Sequence, residues 1–238
     1  MTVAGVLLFV HDGCTFTVAD GVQPPKAGSM LFCRHLPVRA GDRVLEIGTG
    51  IGLAAVTAAR AGARVVATDV VEAAVGCARA NVVLNGVADR VEVLHGDGFA
   101  PVRGRIFDLI CTSPPQMPTP ADRERTDAAA AADNGGRDGG ALLDRVIAGA
   151  PAHLGPGGRL VFTLFGFLGV KAALARLADA GLEPAILGQE TQAFPRIGYE
   201  RLDHIRALDV EATLPPSGFP ATVERYVIRG TRTEDRSR

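Results

Sequence analysis

The sequence predicts an α/β domain built on a doubly wound, mostly parallel sheet of seven strands with helices on both faces. Three observations predict it. Short runs rich in Val, Ile, Leu and Phe recur from about residue 42 onward, helical patterns separate them, and the first run leads through a glycine-rich turn straight into a helix. Strands of a sheet covered on both faces read as continuous apolar runs instead of alternating ones. The candidates lie at 43–47, 64–68, 91–94, 107–112 and 159–164, with two more around 184–188 and 223–229. Val71, Val75, Ala78 and Val82 share one face of a helix that stops at Asn85-Gly86. Val170, Leu174 and Leu177 share a face of another, which closes at Gly181, a residue free to take a left-handed cap.

A chain of 238 residues that is 47% hydrophobic can bury one large core. A single domain over 1–230 is expected. It includes an N-terminal cap or substrate segment (1–40) and a long irregular loop at the active site (117–140), and a flexible tail follows (231–238). The apolar start, 1–10, lacks a basic flank, and Asp12 interrupts it far short of the ~20 residues that cross a bilayer. It reads as an early strand. Lys26 and Lys171 are the only lysines, so no polybasic membrane anchor is present, and a net charge of -1 carries no strong nucleic-acid signal. Cys14, Cys33, Cys77 and Cys111 have no metal-ligand spacing and sit in apolar surroundings. Free thiols, no metal site and a cytoplasmic location are expected.

The first strand exits through Val44-Leu45-Glu46-Ile47-Gly48-Thr49-Gly50-Ile51-Gly52, and the second ends at Asp69, 21 positions after Gly48. A glycine-rich strand-to-helix turn admits a ligand against the backbone, and an acid at that distance can accept from two ribose hydroxyls. Both features also fit a nicotinamide dinucleotide. That fingerprint would need a third glycine at position 53, which is Leu53. The pattern present, E-x-G-x-G-x-G, resembles the first motif of class I S-adenosylmethionine (SAM) methyltransferases, which have a Rossmann-like fold. The resemblance implies that Glu46 lies near the amino-acid part of SAM, that Gly48 and Gly50 pass against it, and that Asp69 takes the ribose. It further implies that Ile47, Thr49, Gly52 and Val70 belong to the same cofactor shell. In His95-Gly96-Asp97-Gly98-Phe99, it implies that Asp97, with Gly98 beside it, faces the adenine amine; a simple turn is the other reading of Asp97. Upstream, Lys26 or Ser29 is placed at the methionine carboxylate. His95 is read as structural.

The fourth strand ends in Ser113-Pro114-Pro115-Gln116. This resembles the [N/D/S]-P-P-[Y/F/W] motif of methyltransferases acting on amino and amide nitrogens, among them the release-factor glutamine N5-methyltransferases (the HemK-like branch) and adenine-N6 enzymes. The resemblance implies that Ser113 and the Pro114 carbonyl accept the N–H bonds of the target and aim its nitrogen, which a delocalised lone pair requires. It continues through 135–147 and 154–160 and covers roughly 39–165. Two departures shape the expectation. Gln116 replaces the aromatic that packs on a flat target, and only about 40 residues precede the first motif. A small-molecule or peptide acceptor, methylated on nitrogen or else oxygen, is therefore placed first, with a glutamine-type amide beside it. The rivals are a protein or RNA N-methyltransferase, a catalytically inactive SAM-binding protein and an NAD-dependent oxidoreductase. Arg123, Arg125 and Arg137 either meet an acidic substrate or form a solvated charged loop.

Overall fold

The computed structural model describes residues 7–124 and 132–233. The chain begins with a hairpin, β1 (Leu7–His11) and β2 (Cys14–Val18), and a helix α1 (Ala27–Arg34). An alternating series follows: β3 (Arg43–Ile47), α2 (Leu53–Arg60), β4 (Arg64–Asp69), α3 (Glu72–Leu84), β5 (Val91–His95), β6 (Phe107–Thr112), α4 (Ala141–His153) and β7 (Leu154–Phe165). The chain closes with α5 (Val170–Asp179), β8 (Leu182–Ala193), the short helices α6 (Arg196–Tyr199) and α7 (Leu202–Leu208), and β9 (Thr222–Arg232).

Seven strands form the predicted sheet, in the order β5-β4-β3-β6-β7-β9-β8. The first five are parallel, and β9 runs antiparallel to both of its neighbours. Successive residues on a strand point to opposite faces, and this divides the core. Val44, Leu109, Val161 and Val227 pack under the alanine-rich α2 and α3. Leu45, Ile110, Phe162 and Ile228 pack against Leu143, Ile147 and Leu177 on α4 and α5. Beneath the sheet, Arg159 donates to Asp42 in an ion pair whose partners are both buried.

The last two strands outrun the expectation. Thr231 and Arg232, placed in a flexible tail by sequence, belong to β9: Arg232 pairs with Leu182, and its guanidinium donates to the carbonyls of Pro151 (2.9 Å) and Leu154. The apolar start proves to be one arm of the β1–β2 hairpin, turned at Asp12-Gly13, both with positive φ. Residues 1–6, Arg125 and the tail positions 234–238 lie outside the described residues. Among the described residues no helix is long and apolar enough to cross a membrane, and the four cysteines are free and buried.

The hairpin is docked to the rest of the domain by side chains. Asn81, fully buried on α3, accepts from the Thr17 amide (2.8 Å) and donates to the carbonyls of Thr17 (2.9 Å) and Ile51 (2.8 Å). One turn on, Asn85 exchanges the same pair of bonds with Thr15. Two amides a helical turn apart thus imitate a strand edge, and Asn81 ties the hairpin to the glycine turn after β3.

Candidate active site

Parallel pairing brings the strand ends into register. Ile47 lies opposite Thr68 on one side and Thr112 on the other, Asp69 opposite His95, and Thr112 opposite Phe162. The turns leaving β3, β4, β5 and β6 therefore open at the same edge, where the strand order reverses and α/β sheets leave a crevice. A cavity of about 630 Å³ fills that crevice, within the usual range for small-ligand pockets. It is lined by Lys26, Ser29, Glu46, Ile47, Gly48, Thr49, Gly50, Asp69, Val70, Asp97, Gly98, Ser113, Pro114, Pro115 and Gln116, and among other residues by Phe165 and Arg225.

Gly48 and Gly50 have φ of +76° and +55°, and a Cβ at either would meet nothing within 4 Å. Their missing side chains keep the floor of the cavity clear. Gly52 differs from the expectation. It is absent from the lining, and a Cβ there would press on Ala78 at 3.3 Å, so it lets α2 cross α3 closely. Asp69 is clamped by the amides of Gly50 (2.9 Å) and Val71 (2.9 Å), one to each oxygen. A carboxylate has about four acceptor positions, so roughly two remain for a diol.

Glu46 is buried and accepts the Thr49 hydroxyl at 2.7 Å. Burial pushes its carboxyl up to about 8, against the pull of the Thr49 bond and the Ala55 amide, with Asp69 adding to the rise. Burial, then the nearby Glu46, drives the Cys33 thiol up to about 12 and Cys111 well above its ordinary value, so neither is a thiolate. Asp97 lines the cavity, yet its carboxylate is held in a fork by Arg145 (2.6 and 3.0 Å), which lowers its pKa. Lys26 is bound to Asp133 at 3.1 Å. His95 places its Nε2 3.0 Å from the Val70 carbonyl, as a structural residue should.

At the reacting end, Ser113 Oγ lies 3.0 Å from Thr163 Oγ1. Gln116 is almost fully buried, accepts from the Phe165 amide at 3.1 Å and donates to the Thr163 carbonyl. It sits where an aromatic was expected to pack on a target, but its amide is spent pinning the segment after β6 to the end of β7. The loop beyond is tied back as well: the Thr119 amide donates to the Gly136 carbonyl (2.8 Å) and that of Gly135 to the Met117 carbonyl (3.0 Å). Arg123 pairs with Asp122 at 3.6 Å, and neither Arg123 nor Arg137 lines the cavity. Sequence reasoning missed Thr163, Phe165 and Arg225, which come from distant strands and carry no local motif.

The sheet is parallel except for β9, which is inserted antiparallel beside β7, and the fold is that of Rossmann-like methyltransferases. One chain of the E. cuniculi Mtq2-Trm112 complex superposes with a TM-score of 0.56 at 18% identity, covering 90% of this chain and 99% of that one. The chain belongs to the methyltransferase small domain family, whose model matches residues 21–181, and within the class I SAM-dependent enzymes it falls on the glutamine methyltransferase branch. A candidate protein N5-glutamine methyltransferase of Methanocaldococcus jannaschii is 32% identical over 176 residues, 74% of this chain and 88% of that protein. The release factor glutamine methyltransferase of Gloeobacter violaceus is 39% identical over 136 residues, 54% of this chain and 46% of the relative, so this match spans about half of the relative's length.

Proposed function

We propose that the protein is a SAM-dependent N-methyltransferase whose acceptor is a glutamine side-chain amide carried by a protein. One observation carries the reading: a single cavity is walled at once by the Glu46-to-Gly50 turn, Asp69 and Ser113-Pro114. The residues present fit SAM. The glycine floor is open, Asp69 is oriented with acceptor capacity to spare, and Glu46 is a buried acid facing where a cationic amino acid would lie. SAM, when bound, supplies an electrophilic methyl group.

The chain's own residues do the rest by positioning. Ser113 and the Pro114 carbonyl accept the two amide N–H bonds and turn the nitrogen toward the methyl group, while the prolines keep that edge rigid. Proximity and orientation then supply most of the acceleration. A small-molecule acceptor stood first by sequence, on two grounds. Gln116 no longer argues for it, because its amide is a strut to β7. A short chain does not argue for it either, since the M. jannaschii relative is spanned to 88%. The names of the relatives favour a protein amide.

Calorimetric titration with S-adenosylhomocysteine tests the cofactor site. Wild type should bind in the micromolar range and Asp69→Ala should lose most of that affinity. Ser113→Ala should bind as wild type does while methylating glutamine peptides more slowly. No binding by folded wild type overturns the reading, and full turnover in Ser113→Ala removes Ser113 from it.

A further inference from the structure

The cavity holds a cation that no carboxylate among the described residues neutralises. Arg225, on β9, lies opposite Phe165 of β7, so both side chains point to the α1 face. Its guanidinium carbon stands 4.0 Å over the Phe165 ring, and Nη2 donates to Thr163 Oγ1 at 3.0 Å. On the third side, a Cβ at Gly28 would come within 2.9 Å of the guanidinium. The remaining side is the cavity. Nε is sealed from solvent without a hydrogen-bond partner among the described residues, and burial lowers the guanidinium to about 10.

The carboxylates that line the same cavity are engaged elsewhere. Asp133 holds Lys26, Asp97 holds Arg145, Asp69 is clamped by backbone amides, and the buried Glu46 accepts from the Thr49 hydroxyl. A half-buried guanidinium with its Nε sealed from solvent and no anion beside it is costly, and a carboxylate in a bidentate bond is the group that best offsets it. Of Lys26 and Ser29, the two residues placed by sequence at the methionine carboxylate, Lys26 is paired with Asp133 and the Ser29 hydroxyl carries no charge. We propose that Arg225 is the carboxylate-binding residue of the cavity and that the ligand brings its missing counter-anion. Two sources carry that chemistry: the methionine part of the cofactor, and a carboxylate of the acceptor beside the methylated amide, which an acidic residue next to the glutamine would present in a protein and N-acetylglutamine presents in its simplest form. Ser113 and Arg225 share Thr163 as a neighbour, so the guanidinium Nη2 lies within about 6 Å of Ser113 Oγ, two hydrogen-bond lengths away, and a carboxylate bound to it within about 9 Å of the reacting end.

The inference rests on the methyltransferase reading, and binding measurements separate the two. Wild type and Arg225→Met are titrated with S-adenosylhomocysteine and with 5′-methylthioadenosine, which lacks the amino-acid part. Protein saturated with S-adenosylhomocysteine is then titrated with N-acetylglutamine and with its neutral methylamide. If the cofactor supplies the anion, the variant loses about 10- to 100-fold in affinity for S-adenosylhomocysteine and none for methylthioadenosine. If the acceptor supplies it, S-adenosylhomocysteine binding is unchanged and only N-acetylglutamine is weakened. Should Arg225→Met fail to fold, Arg225→Lys serves in its place, because a lysine keeps the charge but not the planar fork. The proposal is overturned if both proteins bind S-adenosylhomocysteine equally and wild type binds N-acetylglutamine no better than its methylamide. Wild type that binds neither nucleoside instead refutes the methyltransferase reading, and this inference with it.

Discussion

Glu46 should make the stability of the empty protein fall as pH rises, and Glu46→Gln should abolish that fall. Burial moves the carboxyl from its ordinary 4.5 to about 8. Below pH ~4.5 the group is protonated in the folded and unfolded states alike and costs nothing. Between ~4.5 and ~8 the folded protein keeps a proton that the unfolded chain has released, so stability declines with rising pH. At ~1.4 kcal/mol per pKa unit the loss reaches roughly 3 kcal/mol at pH 7 and levels at roughly 5 kcal/mol above pH 8. The substituted amide would still accept from Thr49 and has no charge to desolvate, so the variant's advantage should be near zero at pH 4.5 and grow across that window. Urea denaturation of both proteins at intervals from pH 5 to 9 measures it. A difference that stays constant with pH would refute the reasoning. The same group predicts that S-adenosylhomocysteine, whose ammonium would face Glu46, drives a proton off wild type at pH 7 but not off the variant. Calorimetry in two buffers of different ionisation enthalpy reads this directly.

Other changes should act on stability through named contacts. Asp42→Ala removes the ion-pair partner of the buried Arg159 guanidinium, leaving it only the more distant charge of Asp108, and should cost about 3 kcal/mol in urea denaturation. Gln116→Leu strands the Phe165 amide and the Thr163 carbonyl and should cost about 2–4 kcal/mol, with slower methylation of any acceptor because Ser113 loses its brace. Asn81→Leu removes four bonds to Thr17 and Ile51; it should destabilise by about 3 kcal/mol and raise amide hydrogen exchange in both the hairpin and the glycine turn. Exchange confined to the hairpin would show that the two are not coupled through this residue.

Much of the molecule was legible in local pattern. The five parallel strands announced themselves because strands buried on both faces must be apolar throughout, and β3 and β6 begin and end where the runs at 43–47 and 107–112 do. The turn after β3 was legible because Gly48 and Gly50 take positive φ, which favours glycine, and Asp69 was legible as the acid at the next strand end, where it faces the same cavity. The hairpin could have been read from Asp12-Gly13 between two apolar runs, a strong turn signal that the interruption of the apolar stretch obscured.

Sequence by itself thus determined the sheet, the glycine turn and the Ser113-Pro114 edge, because each follows from residues adjacent in the chain. Which charges are spent was decided only by the tertiary structure. Lys26 meets Asp133, Arg145 meets Asp97, and Gln116 meets β7 across separations that no periodicity encodes. Arg225 lies more than a hundred residues from Ser113, with which it shares Thr163 as a hydrogen-bond partner, and looks like an ordinary strand-end arginine until β7 and β9 pair. Only then do Phe165, Thr163 and Gly28 enclose it and leave one side open to a ligand.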